Sequence, residues 1–374
     1  MSSDLPQLSI VHLLAPARFG GLETVVTTLA AGQRAVGDRV AAGLVLKPSE
    51  AEDHPMIRTL EEADIEVRPI VVSGRDYAGE REATAALLED VDADILHTHG
   101  YRPDVIDAPV ARSRGIPTVT TVHGFTGGGW RGRLYEWLQK RSFRSFDAVI
   151  VVSRKIEREL ASRGVASSMM HLVQNAWRSQ AGEALPRDVA RSHLGLSGET
   201  AVVGWVGRMS AEKAPDVMIR AAAAVRSDAV RFSMIGAGAM EAECRALSEA
   251  LEIGDRVTWH GVVPDASRLL SAFDLLVLSS WTEGTPMVLL EAMAASVPVV
   301  STDVGGIPDV VGPAEAELCQ AGRHDLIASA IDRTLASPDE AARRARAARA
   351  RLESDFAVEP WVDKHRAIYH SLIP

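Results

Sequence analysis

The sequence predicts an α/β protein that contains two doubly wound parallel sheets. Short apolar runs alternate with helical patterns along most of the 374 residues, and one polar connector interrupts this alternation near the middle. Runs such as residues 275–278, LLVL, contain no polar residue, as expected for strands that are buried on both faces. Two series of strands and helices separated by a connector indicate two domains, in agreement with the length of the chain.

The composition restricts the class of protein. Hydrophobic residues make up 47% of the chain and charged residues 24%, which is ordinary for a folded soluble protein. A net charge of −10 argues against general nucleic-acid binding. Cys244 and Cys319 lie too far apart in sequence to suggest a disulfide framework. No apolar stretch reaches the roughly 18 residues of a membrane span, and the first residues resemble a strand rather than a secretion signal. These features predict a cytoplasmic protein.

The first series of strands follows from apolar runs that end in turn residues. Strands are predicted at residues 8–14, 39–46, 66–72, 94–98, 117–122 and 147–152. Helical spacing predicts helices at residues 56–63, 80–89 and 103–113, and a turn at Gly20 and Gly21 leads from the first strand into a further helix. We assign residues 1–180 to this first domain.

The second series begins after the polar connector at residues 174–187, QNAWRSQAGEALPR. Strands are predicted at residues 201–206, 231–235, 257–260, 275–278 and 297–301, with helices at 216–225 and 239–251. We assign residues 181–355 to the second domain and expect a helix at 356–374 to pack back on the first. Ligands of open α/β sheets bind beyond the carboxyl ends of the strands, so the site is expected in a cleft between two facing sheets.

Residues 275–310 contain a strand, a polar turn and a helix start, with two carboxylates, Glu283 and Glu291. The amides at the start of this helix would suit a phosphate group. The residues that form this start are Gly284, Thr285, Pro286, Met287 and Val288. Glu291 follows Glu283 by eight positions, so on one helix the two carboxylates would lie roughly 80° apart around the helix axis. They could then contact one ligand at different points.

Arg208 and Lys213 follow a predicted strand and precede a helix start. An arginine fork and a lysine point charge at such a place can bind a pyrophosphate, although two solvated surface cations would give the same pattern. Gly236 and Gly238 resemble the start of a dinucleotide fingerprint, but Glu241 occupies the third glycine position. A tight turn explains these glycines equally well.

Histidines mark the ends of two predicted strands in the first domain. His123 follows a strand and could act as an acid, a base or a polar contact, or serve a structural purpose. His97 and His99 share one face of another strand, which invites a metal site. With no third ligand at a recognisable spacing, we predict no metal.

Residues 130–144, WRGRLYEWLQKRSFR, begin at Trp130, end at Arg144 and combine basic with aromatic residues. A basic amphipathic helix can lie on an anionic membrane surface or bind an anionic acceptor. Alternatively, Trp137 and Leu138 pack into the domain while the cations extend to solvent.

The ordered set of motifs resembles the GT4-type retaining glycosyltransferases, whose GT-B fold consists of two Rossmann-like, doubly wound domains facing each other across a cleft. The motifs that carry this resemblance are Gly20-Gly21-x-Glu23, His123-Gly124, Gly207-Arg208 with Lys213, Glu283 with Glu291-Ala292-Met293, and the run D-V-G-G-x-P-D that starts at Asp303. The resemblance implies that the second domain binds a nucleotide sugar, UDP-linked first and GDP-linked next, and that the first binds the acceptor.

The resemblance also implies a role for each matching residue. Arg208 and Lys213 would bind the diphosphate and neutralise the leaving group, while Glu291 accepts hydrogen bonds from the ribose. Glu283 and the amides from Gly284 to Val288 would contact the sugar and phosphate, and Gly20 and Gly21 would let the backbone approach them. His123 would contact the sugar near the reacting centre. No cofactor or metal is implied, because the cations and helix amides would stabilise the leaving diphosphate.

The sequence therefore predicts a metal-independent, retaining hexosyltransferase that acts on a hydroxyl acceptor in polysaccharide biosynthesis. The basic aromatic segment favours a lipid-linked or envelope polysaccharide acceptor at the inner face of the membrane. Two alternatives remain open at this stage. A nucleotide-sugar epimerase or hydrolase would use the same diphosphate pocket without an acceptor, and a non-catalytic protein would only bind the nucleotide sugar.

Overall fold

The computed structural model describes residues 5–17, 20–124, 130–177, 184–196, 198 and 200–373, with residues 130–134 described by their backbone only. Phe19 and the domain boundary predicted between residues 180 and 181 lie outside the described residues. Two compact units share the chain: Met1–Arg178 together with Ala357–Pro374, and Ser179–Phe356. The first unit is therefore completed by a segment that follows the second unit in sequence.

The described strands of the first unit form one parallel sheet. They are β1 (Ser9–Leu14), β2 (Arg39–Leu46), β3 (Glu66–Val71), β4 (Ile95–His99), β5 (Thr118–Val122), β6 (Ala148–Val151) and β7 (Met170–Leu172). Their order in the sheet is β3-β2-β1-β4-β5-β6-β7, and every pairing is parallel. The chain thus builds outward from β1 in one direction and from β4 in the other.

Helices connect these strands and cover the sheet. They are α1 (Gly21–Ala35), α2 (Pro55–Glu62), α3 (Tyr77–Asp90), α4 (Tyr101–Ile106), α5 (Ala108–Arg112), α6 (Trp130–Ser142) and α7 (Arg154–Ser162), and α15 (Val358–His370) joins them from the far end of the chain. Side chains of β1 alternate between two layers, as the period of a strand requires. Val11 and Leu13 pack with Leu87 of α3, whereas Leu14 packs with Val26 of α1.

The second unit has the same kind of architecture. Its described strands are β8 (Val202–Val206), β9 (Arg231–Ile235), β10 (Val257–Gly261), β11 (Leu275–Leu278), β12 (Val299–Thr302) and β13 (Glu317–Cys319), in the order β10-β9-β8-β11-β12-β13. The helices are α8 (Arg187–His193), α9 (Pro215–Ala224), α10 (Glu241–Ala250), α11 (Met287–Ala294), α12 (Ile307–Val310), α13 (His324–Ala336) and α14 (Pro338–Asp355). The pairings are parallel here as well.

Aspartates fix the amino ends of strands in both units. Asp94 accepts a hydrogen bond from the Ser9 amide at 2.7 Å, and Asp274 accepts one from the Val202 amide at 2.8 Å. Each carboxylate precedes one strand and binds the first amide of its neighbour, which satisfies a donor that the ladder leaves unpaired. These aspartates therefore have a structural role at the amino ends, and ligand binding is expected at the opposite, carboxyl ends of the strands.

A buried ion pair attaches α15 to the first unit. Arg366 donates to Asp38 at 2.9 Å, and the two side chains are 2% and 0% exposed. Asp38 also accepts from the Leu8 amide at 3.1 Å, and Arg366 donates to the Pro6 carbonyl at 3.2 Å. At Gly32 of α1, a side chain would collide with Val362 of α15, so glycine permits the close approach of the two helices.

Two predicted elements differ from the structure. The helix predicted at residues 103–113 is divided into α4 and α5, because Asp107 ends one and precedes Pro109 in the first turn of the next. The helix that follows β11 begins at Met287, so Glu283 lies in the preceding loop. The roughly 80° angle between Glu283 and Glu291 was therefore wrong, because only Glu291 belongs to the helix.

Candidate active site

Each sheet has one position at which the direction of strand addition reverses. It lies between β1 and β4 in the first unit and between β8 and β11 in the second. The loops after these two strands diverge to opposite faces of the sheet and leave a crevice at their carboxyl ends, where α/β proteins bind ligands. The predicted site residues of each unit follow the strands at or beside these positions.

Lys213 and Glu283 form an ion pair at the reversal point of the second unit. Lys213, in the loop after β8, places its ammonium 2.7 Å from both carboxylate oxygens of Glu283, in the loop after β11. Ser280 donates to the same carboxylate at 2.6 Å. The Glu283 side chain is only 6% exposed, so its charge depends on these partners.

Arg208 lies beside this pair on the same loop and is much more exposed. Its guanidinium contacts Glu212 at 3.0 Å across one turn of chain. The Glu212 carbonyl accepts from the Trp281 amide at 2.8 Å, which joins the loops after β8 and β11 directly. An arginine and a lysine are thus presented by one loop, as a diphosphate site requires.

Glycines allow the loops around these charges to approach closely. A side chain at Gly236 would lie 1.8 Å from the Gly207 carbonyl oxygen, and one at Gly305 would lie 1.9 Å from that of Glu283. Both residues have positive φ, 129° and 62°, so a side chain would also be conformationally strained. The D-V-G-G run supplies Gly305 and Gly306, and the Gly306 amide donates to the Glu283 carbonyl at 3.1 Å. Gly236 and Gly238 therefore serve loop packing, which the sequence offered as one of two explanations.

Glu291 lies in the second turn of α11. Burial raises the pKa of its carboxyl to about 7, and no cation offsets this effect among the described residues. Gly284 and Thr285 lie in the loop, Pro286 occupies the N-cap, and Met287 and Val288 open the helix. The first amides of α11 have no intrahelical acceptor, so this end presents donors near the two carboxylates.

Gly20 and Gly21 join β1 to α1 in the first unit. Gly20 precedes the helix in an extended conformation, and Gly21 is its first residue. A side chain at Gly20 would lie 2.5 Å from the Glu23 carboxylate, which accepts from the Ala17 amide at 2.8 Å. Glu23 thus links the start of α1 to the end of the preceding segment, and the absence of a side chain at Gly20 leaves room for its carboxylate.

His123 follows β5 and is half-buried. Its Nε2 lies 3.3 Å from Nδ1 of His99, whose Nε2 lies 3.0 Å from Nδ1 of His12. Burial among these rings lowers the pKa of His123 to about 4, and of His12 likewise to about 4. The histidines of this cluster are therefore neutral near pH 7.

His12 supplies the third histidine that the sequence did not identify beside His97 and His99. One ring nitrogen from each lies within 4.8 Å of the others, a spacing that could hold a metal ion. All six ring nitrogens, however, have hydrogen-bonding partners: one another, Gln33, Thr121, Tyr369 and His123. A metal ion would have to replace at least two of these bonds.

The sequence missed four polar residues that contact the predicted site residues or their partners. Ser280 was overlooked because a serine after a strand is usually an ordinary turn residue. His12, Gln33 and Tyr369 lie far apart in sequence and meet only when β1, α1 and α15 pack together. His12 did carry one signal, a polar residue in the middle of an otherwise apolar run, residues 10–14.

The segment at residues 130–144 forms α6 and a following turn, and the side chains of 130–134 lie outside the described residues. Trp137 is 54% exposed, so the alternative in which it packs into the domain was wrong. Gln139 and Lys140 are buried instead, where Gln139 donates to Asp104 at 2.7 Å and Lys140 to Glu159 at 2.6 Å. No described helix is long and apolar enough to cross a bilayer.

Both halves of the chain match known families of sequences. Residues 19–177 match Glycosyltransferase Family 4, and residues 186–351 match Glycosyl transferases group 1. A putative teichuronic acid biosynthesis glycosyltransferase, TuaC of Bacillus subtilis, is 31% identical over 65% of this chain and 62% of its own length. D-inositol 3-phosphate glycosyltransferase 1 of Catenulispora acidiphila is 26% identical over 78% of this chain and 76% of its own.

A solved structure matches the whole fold. Alr3699/HepE of Anabaena, crystallised with UDP-glucose, superposes with a TM-score of 0.83 at 21% identity, over 98% of this chain and 100% of that one. The two parallel sheets and this likeness establish the two-domain, Rossmann-like GT-B fold. With both family matches, the chain belongs to the GT4-type glycosyltransferases.

Proposed function

We propose that the protein is a retaining glycosyltransferase that moves a hexose-type sugar from a nucleotide diphosphate to a hydroxyl acceptor. The observation that carries this proposal is the ion pair of Lys213 with Glu283 at the reversal point of the second sheet, on a loop that also presents Arg208. A single loop supplies two cations, and the opposite loop supplies the carboxylate and a helix start. These groups match the charge of a diphosphate and the hydroxyls of a sugar.

The reaction needs positive charge at the leaving group. A bond forms between the acceptor oxygen and the anomeric carbon, the bond from that carbon to the phosphate oxygen breaks, and the acceptor proton passes to the departing phosphate. Lys213 and Arg208 neutralise the diphosphate as its charge grows, so they bind the transition state better than the donor. The side-chain cations take the role that a metal ion has in other transferases. His123, Gly20 and Gly21 contact the transferred sugar and its phosphate.

The raised pKa of Glu291 supports its proposed role at the ribose. Burial destabilises the charged carboxylate because it removes hydrogen bonds from water. Hydrogen bonds from two ribose hydroxyls would replace them and stabilise the charge again. A UDP-linked sugar is the donor we test first, because HepE was crystallised with UDP-glucose, and a GDP-linked sugar comes next.

A transfer assay with matched variants tests the role of the cations. Lys213→Ala and Arg208→Ala should each lower kcat/KM at least about tenfold, because each removes a charge-assisted contact. Arg226→Ala is the control, since this 81% exposed arginine pairs with Asp332 away from the strand carboxyl ends. Unchanged kinetics in both site variants would refute the assignment.

The donor and the reaction class are tested together. Thermal shifts with UDP-, GDP- and ADP-sugars identify the donor, because a ligand that binds the native state raises its stability. Rapid conversion of the donor without an acceptor would indicate an epimerase or a hydrolase instead. Tight donor binding without turnover across many acceptors would indicate a non-catalytic nucleotide-sugar-binding protein.

For the acceptor, we propose a lipid-linked or envelope polysaccharide at the cytoplasmic face of the membrane. The exposed Trp137 shares α6 with Arg141, and Arg144 follows it, so this surface combines an aromatic ring with cations. The name of the Bacillus relative, in teichuronic acid biosynthesis, supports an envelope polymer.

Vesicle co-sedimentation tests this surface. The protein should bind anionic phosphatidylglycerol vesicles at low salt, and Trp137→Ser should weaken binding because the ring no longer enters the headgroup region. Leu326→Ser, which removes an exposed apolar side chain in the second unit, is the matched control. Absence of wild-type binding would eliminate the membrane contact while leaving the transferase proposal intact.

A further inference from the structure

A chain of hydrogen bonds runs from His123 into the interior of the first unit. His123 contacts His99 at 3.3 Å, His99 contacts His12 at 3.0 Å, and Nε2 of His12 contacts the Gln33 amide oxygen at 2.7 Å. Except for the half-buried His123, all of its members are buried. The three strand-borne histidines come from β1, β4 and the end of β5, and Gln33 comes from α1.

The amide of Gln33 determines where the proton lies on each ring. Its oxygen can only accept, so His12 carries its proton on Nε2 and offers a lone pair at Nδ1. His99 must then donate from Nε2 and accept at Nδ1, where His123 donates from its own Nε2. Burial lowers the pKa of His12, His97 and His99, so each ring carries one proton, and the Gln33 oxygen then sets the direction of every bond in the series.

A second branch agrees with this orientation of Gln33. The amide nitrogen donates to the Tyr369 hydroxyl at 3.2 Å, and the hydroxyl donates to Nδ1 of His97 at 2.7 Å. His97 then donates from Nε2 to Thr121 at 2.8 Å. Each bond along both branches thus pairs one donor with one acceptor. If the Gln33 amide were reversed, every proton in both branches would move to the other side.

We propose that Gln33, His12 and His99 are positioning residues that hold His123 in the Nε2–H tautomer and so present its Nδ1 as a hydrogen-bond acceptor. The group that it accepts from is a hydroxyl of the substrate, which follows from the proposed function. With its low pKa, neutral His123 is a weak base, so it orients a hydroxyl rather than carrying a proton.

Nitrogen NMR of the full-length protein with 15N-labelled histidine tests the tautomers directly. Two-bond correlations between ring nitrogens and ring carbon-bound hydrogens distinguish the two neutral tautomers. His12, His99 and His123 should all be in the Nε2–H form. The Nδ1–H form at these rings would overturn the proposal, whether or not the protein transfers sugar, so this result does not depend on the proposed function.

Two variants separate positioning from packing. Gln33→Met keeps the volume but removes both hydrogen bonds, so His123 should populate both tautomers and kcat should fall about two- to tenfold, with KM for the donor unchanged. Tyr369→Phe is the matched control, because it removes a hydroxyl from the same cluster but leaves Gln33 bonded to His12. Its His123 spectrum and its kcat should resemble those of the wild type. An unchanged His123 spectrum in Gln33→Met would refute the proposal.

Discussion

The two units share the same order of strand addition, but different kinds of side chain lie at the point where this order reverses. In the first unit, neutral imidazoles, an amide and a hydroxyl are buried and satisfy one another. In the second, a partly buried ion pair and an exposed arginine lie beyond the carboxyl ends of the strands, and their loops approach closely through glycines. Neutral polar groups can be buried wherever hydrogen bonds are complete, whereas charges need water, a partner or a ligand. The topology therefore fixes where a site lies, and the side chains fix its chemistry.

The largest expected effect concerns charges that the first unit does bury, the ion pair of Arg366 with Asp38. Arg366→Met leaves Asp38 charged and without its guanidinium, so the first unit should lose about 3–5 kcal/mol of stability. Hydrogen exchange should accelerate in β1 and β2 and remain unchanged in β8. Arg226→Met, which breaks an exposed pair, should cost no more than about 1 kcal/mol. Equal losses in the two variants would contradict the distinction between buried and exposed charges.

The next effect concerns the glycine packing of the second unit. Gly305→Ala adds both left-handed strain and a collision with the Glu283 carbonyl, which together should cost about 2–5 kcal/mol and weaken UDP binding. Gly195→Ala is the matched control, because Gly195 has nearly the same φ, 63°, and open space around it. It should cost only about 1–2 kcal/mol and leave UDP binding intact. Chemical denaturation and calorimetric titration measure the two quantities, and equal costs would exclude the collision.

The smallest effect is the pH dependence that Glu291 introduces. Burial raises its pKa in the folded protein to about 7, above its ordinary value, so folding favours the protonated form. The contribution to stability is complete at low pH and is lost as the pH rises through about 7. Melting temperatures of the wild type should therefore fall relative to Glu291→Gln between pH 5 and pH 8. A constant difference across this range would show that Glu291 is not buried as described.

The same carboxyl gives a second measurement through the donor. UDP affinity of the wild type, divided by that of Glu291→Gln, should rise with pH through about 7, because the carboxylate is the better acceptor for ribose hydroxyls. The ratio removes the titration of the nucleotide itself. A ratio that is independent of pH would place Glu291 away from the ribose.

Local patterns predicted most of the fold, because strand runs such as residues 275–278 and the turn at Gly20 and Gly21 depend on near neighbours. Arg208, Lys213 and Glu283 could be placed beyond the carboxyl ends of strands for the same reason, because each follows a strand closely. The helix start at Met287 was harder to predict, because the conformation of the loop after β11 depends on contacts with Gly305 and Gly306, which lie about twenty residues further along the chain. His97 and His99 were recognised as a pair on one strand, whereas His12 joins them only through the register of β1 with β4, so no local pattern could reveal the complete cluster.

The discontinuous first unit has a consequence for the order in which the chain can fold during synthesis. The second unit is continuous in sequence and can be complete before residues 357–374 emerge from the ribosome. Until then, Asp38 lacks Arg366 and the Gln33 amide lacks the Tyr369 hydroxyl. The unit that is translated first can therefore finish folding last, and these two buried groups lack their partners while the second unit is being made.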